Sequence, residues 1–139
     1  MVMTLLANPE TLLGAWTLAR TIEDRRLEED STVHGVLELD EKRPGLIRWQ
    51  ERATWRRTGG DVAVSRGLLL ARTDDGWWVR FEDGADFHPW APGKPVLHDC
   101  APDTYRGEVS GTPERWTVTW EVTGPGKDYT MTTVLTPGG

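Results

Sequence analysis

The chain has 139 residues, a net charge of −6, a pI near 5.0 and a mean hydropathy of −0.50. One domain of this length buries a core. The acidic balance and scattered basic residues speak against nucleic acid and anionic membrane surfaces, which need a clustered basic footprint.

The single cysteine rules out an internal disulfide and fits a reducing compartment. The opening MVMTLLANPETLLGAW lacks the basic region and long apolar run of a signal peptide. No apolar run reaches the roughly 20 residues that span a bilayer. The expectation is one cytoplasmic domain over residues 1–139.

Asn8-Pro9-Glu10 reads as a helix start, with Asn as the cap, Pro at the first helical position and Glu in the first turn. Thr11, Leu12 and Leu13 complete one short turn, which Gly14 ends. From Trp16 to Ile22 the pattern is strand-like, with Trp16, Leu18, Arg20 and Ile22 on one face. Residues 23–31 read as a charged connection. Strands follow at Thr32–Leu39, Leu46–Arg56, Val62–Thr73 and Trp77–Glu82, separated by Asp40–Gly45, Thr58–Asp61 and Asp74–Gly76. The stretch Phe81–Arg106 reads as a long connection holding His88, His98, Cys100 and four prolines. Tyr105–Ser110, Arg115–Thr123 and Asp128–Thr136 are the last strands. In the middle one, Trp116, Val118, Trp120 and Val122 alternate with polar residues.

About nine or ten strands with hairpin-length turns and no second helix predict an all-β fold. Strict up-and-down order predicts a single antiparallel barrel, because closure removes the sheet edges. A barrel of this size fills with side chains or encloses one small ligand. Several faces mix apolar and charged residues: Arg20 beside Trp16, Glu51 beside Trp49, Arg66 beside Leu68. Buried charges need partners. These charges therefore either sit outside or line a polar, water-filled or ligand-filled interior. The eight tryptophans are core residues for the most part, with some available to a cavity wall.

Gly14-x-Trp16, opening the first strand after a short helical lead, resembles the start of the calycin barrels, the lipocalins and fatty-acid-binding proteins. The segments GAWTLARTIEDR, GLIRWQERATW, RGLLLAR, WWVRFEDGADFHPW, HDCAPDTYRG and WEVTGPGKDYTMTTVLT together resemble an uncharacterised bacterial family known as domain-of-unknown-function family 6314. The resemblance covers nearly the whole chain. It implies a calycin-like barrel and carries no established activity. The chain departs from the pattern at its last strand, where Val134-Leu135-Thr136 replaces an aromatic-then-basic pair. In lipocalins a late basic residue packs on the early Trp.

His88 and His98 flank the Pro-rich excursion WAPGKP. Histidine serves as acid, base, ligand or hydrogen-bonding group near neutral pH, or simply caps a turn. With Cys100 the two histidines form no standard zinc spacing, and no haem fingerprint is present, so neither metal nor cofactor is expected. Cys100 adjoins Asp99, which opposes thiolate formation, and is expected to be buried packing. Lys127, after the Gly124-Pro125-Gly126 turn, pairs with Asp103 or Asp83 at the barrel mouth, or faces an anionic ligand with Arg66 or Arg20. No nucleophile elbow, phosphate loop or HExxH signature occurs.

The expected function is binding of a small, largely apolar ligand with a polar or anionic group inside the barrel. The candidate contacts are Arg20, Trp49, Glu51, Arg66, His88, His98, Tyr105, Trp120, Lys127 and Tyr129. The alternative is a cofactor-free cyclase, isomerase or lyase. There His88 is the general acid or base, and Tyr105 and Lys127 stabilise developing charge. A third reading is a homodimer through an exposed tryptophan patch.

Overall fold

The computed structural model describes the backbone of residues 2–138 and the side chains of residues 5–138. The chain begins with helix α1 (Val2–Ala7) and a 3-10 turn (Pro9–Leu12). Asn8 caps that turn as expected, its side chain accepting from the Glu10 backbone at 3.0 Å. Helix α1 was not expected: six residues carry no readable period or cap, and Leu6, buried to 0% exposure, is what docks it.

Ten antiparallel strands follow in one sheet: β1 (Gly14–Asp24), β2 (Glu29–Arg43), β3 (Leu46–Arg57), β4 (Gly60–Thr73), β5 (Gly76–Phe81), β6 (Asp86–Pro89), β7 (Val96–Cys100), β8 (Asp103–Thr112), β9 (Arg115–Gly124) and β10 (Lys127–Pro137). The order β6-β5-β4-β3-β2-β1-β10-β9-β8-β7 is an up-and-down barrel, nearly closed. Strands β1 and β10 pair from Trp16↔Pro137 to Asp24↔Tyr129. Closure at the chain ends thus needs no basic residue on the last strand. Trp16 instead packs edge-to-face on Trp116, 5.6 Å between ring centroids.

Among the described residues no hydrogen-bonded ladder joins β6 to β7, so the seam of the barrel lies in mid-chain. Aromatic rings fill it. Phe81 stacks on Phe87 at 4.6 Å, Phe87 on Trp120 at 5.3 Å, and His98 meets Phe87 edge-on at 4.9 Å.

Several boundaries differ from the expected ones. The charged connection at 23–31 shrinks to Arg25–Glu28, because β1 and β2 stay paired out to Asp24↔Glu29. The Asp40–Gly45 turn reduces to Pro44-Gly45 for the same reason. The stretch Phe81–Arg106 is not the long connection expected. It supplies β6 and β7, two short wall strands, and residues 90–95 between them lie at the opposite end, where Trp90 Nε1 donates to the Leu6 carbonyl at 2.8 Å.

That end of the barrel is plugged. Trp116, fully buried, has Trp16, Trp49 and Trp90 edge-on around it, at 5.6, 5.8 and 6.1 Å. Leu12 and Leu6 close the layer, and their carbonyls accept from the Trp16 and Trp90 indoles. An indole wants a partner when buried, so these bonds fix helix and 3-10 turn to the barrel floor. Among the described residues the exposed large apolar side chains are Leu5, Leu13, Leu27, Val36, Val62 and Leu97, while Trp55, Trp77 and Trp78 are half-buried. Among the described residues no helix is long and apolar enough to cross a membrane.

Candidate ligand site at the open end of the barrel

Strand alternation points Arg20, Glu51 and Arg66 inward, in line with Trp16, Trp49 and Leu68. Glu51 lies directly opposite Arg66 in the β3–β4 ladder. Its carboxylate accepts from Arg20 NH2 at 2.9 Å, Arg66 NH2 at 2.8 Å and Trp49 Nε1 at 2.9 Å. Arg20 Nε donates to Thr133 Oγ1 at 2.7 Å. Side-chain exposure is 4% for Glu51, 11% for Arg20 and 37% for Arg66.

Burial works to raise the Glu51 carboxyl, but the two guanidinium groups and the hydrogen bonds outweigh it and hold it below its ordinary value. Burial pushes the Arg20 guanidinium down, against the pull of Glu51. Two cations and one anion leave the layer with a net positive charge. Arg66 Nε is buried without a partner. The Arg20 bonds to Thr133 and Glu51 use its Nε and one terminal nitrogen.

Below this layer the barrel is filled. Small voids remain there, among them one of about 10 Å3 between Arg20, Trp49, Arg66, Trp120 and Thr133 and one of about 20 Å3 between Trp49, Arg66, His88 and Trp120. Each has room for one water. Above the layer lies an open cavity of about 380 Å3, lined by Arg20, Ile22, Asp24, Val33, Trp55, Val64, Tyr129 and Met131. Its walls come from β10, β1, β2, β3 and β4. On the far side β5 pairs with β4 only from Leu68 to Thr73, so the wall is cut away there.

Of the expected contacts, the structure therefore brings Arg20 and Tyr129 to the cavity, with Glu51 and Arg66 in its floor. Trp49, Trp120 and His88 lie beneath. His88 is 6% exposed, and Nδ1 sits 2.8 Å from the Pro89 carbonyl. A carbonyl only accepts, so Nδ1 carries the proton and Nε2 is left as an acceptor. Burial lowers the His88 pKa to about 4, so the ring is neutral at pH 7.

His98 is part of the aromatic seam, 6.1 Å from the Tyr105 ring. Lys127 does not meet the histidines. It donates to Tyr105 Oη at 3.0 Å and pairs with Asp103 at 3.0 Å, which realises the expected rim ion pair. Those bonds hold its ammonium above the ordinary lysine range. Tyr129 is raised by burial and by nearby Tyr105.

Cys100 is exposed, contrary to the expected packing role: it ends β7, beside the β7–β8 turn at the barrel mouth, where no layer covers it. Among the described residues no three His, Cys, Asp or Glu side chains gather to hold a metal ion.

The residues missed at sequence level are Ile22, Asp24, Val33, Trp55, Val64 and Met131. The signal was available. Ile22 and Asp24 continue the inward register of Arg20, Trp55 that of Glu51, and Val64 that of Arg66.

Known structures share this architecture at low identity. The S-type phycobiliprotein lyase CPES from Guillardia theta is 10% identical, with a TM-score of 0.61 over 94% of this chain and 90% of its own. The redesigned β-barrels mFAP1 and mFAP0, each bound to DFHBI, are 14% and 15% identical. Their TM-scores are 0.53 and 0.50, over 94% and 91% of this chain and 99% of theirs. At such identity the likeness is one of fold. No curated protein matches the chain. A family model does match, over residues 12–137, and the chain belongs to the Family of unknown function (DUF6314).

Proposed function

We propose that the chain binds a small, largely apolar molecule carrying a polar or anionic group, seated at the open end of the barrel. The observation that carries this reading is the apolar cavity of about 380 Å3 standing directly on a buried, net-positive Arg20–Glu51–Arg66 layer. That volume falls within the range of small-molecule sites. Side chains plug the other end, so a ligand has one way in. The barrels mFAP1 and mFAP0, of the same fold, hold DFHBI.

A catalytic use of the barrel, with His88 as general acid or base, has the free Nε2 of a neutral histidine in its favour. Against it stands the void at His88, about 20 Å3, which admits a water and no substrate. Tyr105 and Lys127 bond each other at the rim, and neither lines that void.

Native mass spectrometry of freshly purified protein tests the binding reading. A small organic adduct is expected in the wild type and absent from Val64→Trp, whose added bulk fills the cavity. An adduct retained in Val64→Trp would place the ligand elsewhere. A wild type that carries no adduct and takes up neither 2-naphthoate nor decanoate would sink the reading altogether.

A further inference from the structure

The cavity has a shape as well as a polarity. Strand β2, at its back, contributes only Val33, with Gly35 below it. Gly35 has no room for a side chain: an added Cβ would lie 2.5 Å from the Cβ of Ala53. The Ala53 side chain of the paired strand β3 therefore lies directly over Gly35, and no side chain of β2 enters the barrel there. Ile22 and its ladder partner Met131 form one wall. Trp55 and Val64 form the other.

Trp55 is held as a fixed plate. Its Nε1 donates to Ser31 Oγ at 2.9 Å, and the Arg57 guanidinium lies 4.4 Å from its ring centroid. Arg57 does not line the cavity, so it takes one ring face and leaves the other to the ligand. The facing wall carries the Met131 thioether, a group that packs well on aromatic rings. The Arg20 side chain lines the floor. Asp24 and Tyr129, directly paired across β1 and β10, stand at the rim.

Resting on the binding reading above, we propose that the ligand is a planar aromatic acid. It slides edge-first between Trp55 and Met131, its anionic group on the Arg20 guanidinium and any polar substituent at the Asp24–Tyr129 rim. Arg20 and Asp24 are four residues apart on one strand, so their backbones are separated by about 13 Å at about 3.3 Å per residue. The floor and rim groups of the ligand fall within that span. A flexible aliphatic acid fills the same volume but gains nothing from a rigid plate and loses its chain freedom on binding. An aromatic plate contributes about 0.5–1.5 kcal/mol beyond area for a stacked ring, which is roughly two- to tenfold in affinity.

Isothermal titration calorimetry with two probes of equal charge, 2-naphthoate and decanoate, tests this. The wild type is expected to bind 2-naphthoate several-fold more tightly than decanoate. Trp55→Leu should weaken 2-naphthoate by about two- to tenfold more than it weakens decanoate. An unchanged circular dichroism spectrum and melting transition show that the variant is folded. Trp55→Phe should restore most of the 2-naphthoate affinity. Equal or tighter binding of decanoate, or a Trp55→Leu variant indifferent to 2-naphthoate, overturns the aromatic assignment while leaving small-molecule binding intact. If neither probe binds, both readings fall together.

Discussion

Replacing Glu51 by Gln keeps the size of the side chain and removes its charge. Glu51 is 4% exposed and joins Arg20, Arg66 and Trp49 in one network. Breaking a buried ion pair by removing one partner costs about 3–5 kcal/mol, because the other charge stays behind. Arg20, at 11% side-chain exposure, meets that condition. Arg66, at 37%, is partly screened by water and is discounted. Gln still accepts a hydrogen bond, so the lower end, about 3 kcal/mol, is expected. At about 3 °C per kcal/mol for a domain of this size, the melting temperature should fall by roughly 10 °C. Urea unfolding followed by circular dichroism measures the change directly, with an unchanged slope if the native state is intact.

The pH dependence has a definite sign. The folded Glu51 carboxyl titrates below its ordinary value. Its contribution is complete above the ordinary carboxylate range and is lost as the pH falls through the folded value. Glu51→Gln should therefore lack that part of the acid limb. A loss under about 0.5 kcal/mol, within the range of ordinary surface substitutions, would refute the argument. So would an unaltered acid limb. The triple variant Arg20→Met, Glu51→Leu, Arg66→Met should be about as stable as the wild type, since apolar replacement of a buried ion network is often neutral.

Other expectations follow from single contacts. In Gly107→Ala the new methyl would lie 2.6 Å from the Trp120 ring; a loss of about 1–3 kcal/mol and a changed near-UV tryptophan signal are expected in thermal melts. His88, with its folded pKa near 4 against an ordinary value of 6.5, stays neutral while the unfolded chain takes up a proton. Stability should thus decline as the pH falls from about 6.5 to 4, and His88→Gln should flatten that window in melts taken across it. The lone thiol of Cys100 is exposed, so the folded protein should react with dithionitrobenzoate about as fast as the urea-unfolded chain; a thiol protected until unfolding would contradict the structure.

Most of the wall could be read from the sequence because Gly, Pro and Asp mark its turns and the strands alternate cleanly. Strand β9 is the plainest case: Trp116, Val118, Trp120 and Val122 are all buried, as their spacing implies, and no charge interrupts that face. Arg20, Glu51 and Arg66 were legible as polar residues on inward-reading faces. Their mutual pairing was not, since the partners lie 31 and 15 residues apart and only ladder register brings them together. The site itself was half legible. Which end of the barrel is plugged depends on Leu6 and Leu12 meeting Trp90 and Trp16, and nothing local encodes that meeting. The histidines of β6 and β7 stand out in the sequence instead, because prolines at 89, 92, 95 and 102 disguise two strands as a loop. The chemistry that distinguishes the mouth resides in apolar residues such as Trp55, Val64 and Met131, which carry no motif.

The mid-chain seam divides the molecule in a way its closed outline hides. Strands β1–β6 and β7–β10 are each a continuous meander, and the ladder between β1 and β10 is their one hydrogen-bonded union in the sheet among the described residues. A cut between Pro92 and Gly93 severs no strand pairing. The two pieces would be complementary fragments, reassembled by the β1–β10 ladder and the tryptophan plug. The cavity spans that ladder, with Ile22 on one piece and Met131 on the other. A bound ligand would then act as a clasp between fragments, and ligand binding could be followed as reassembly.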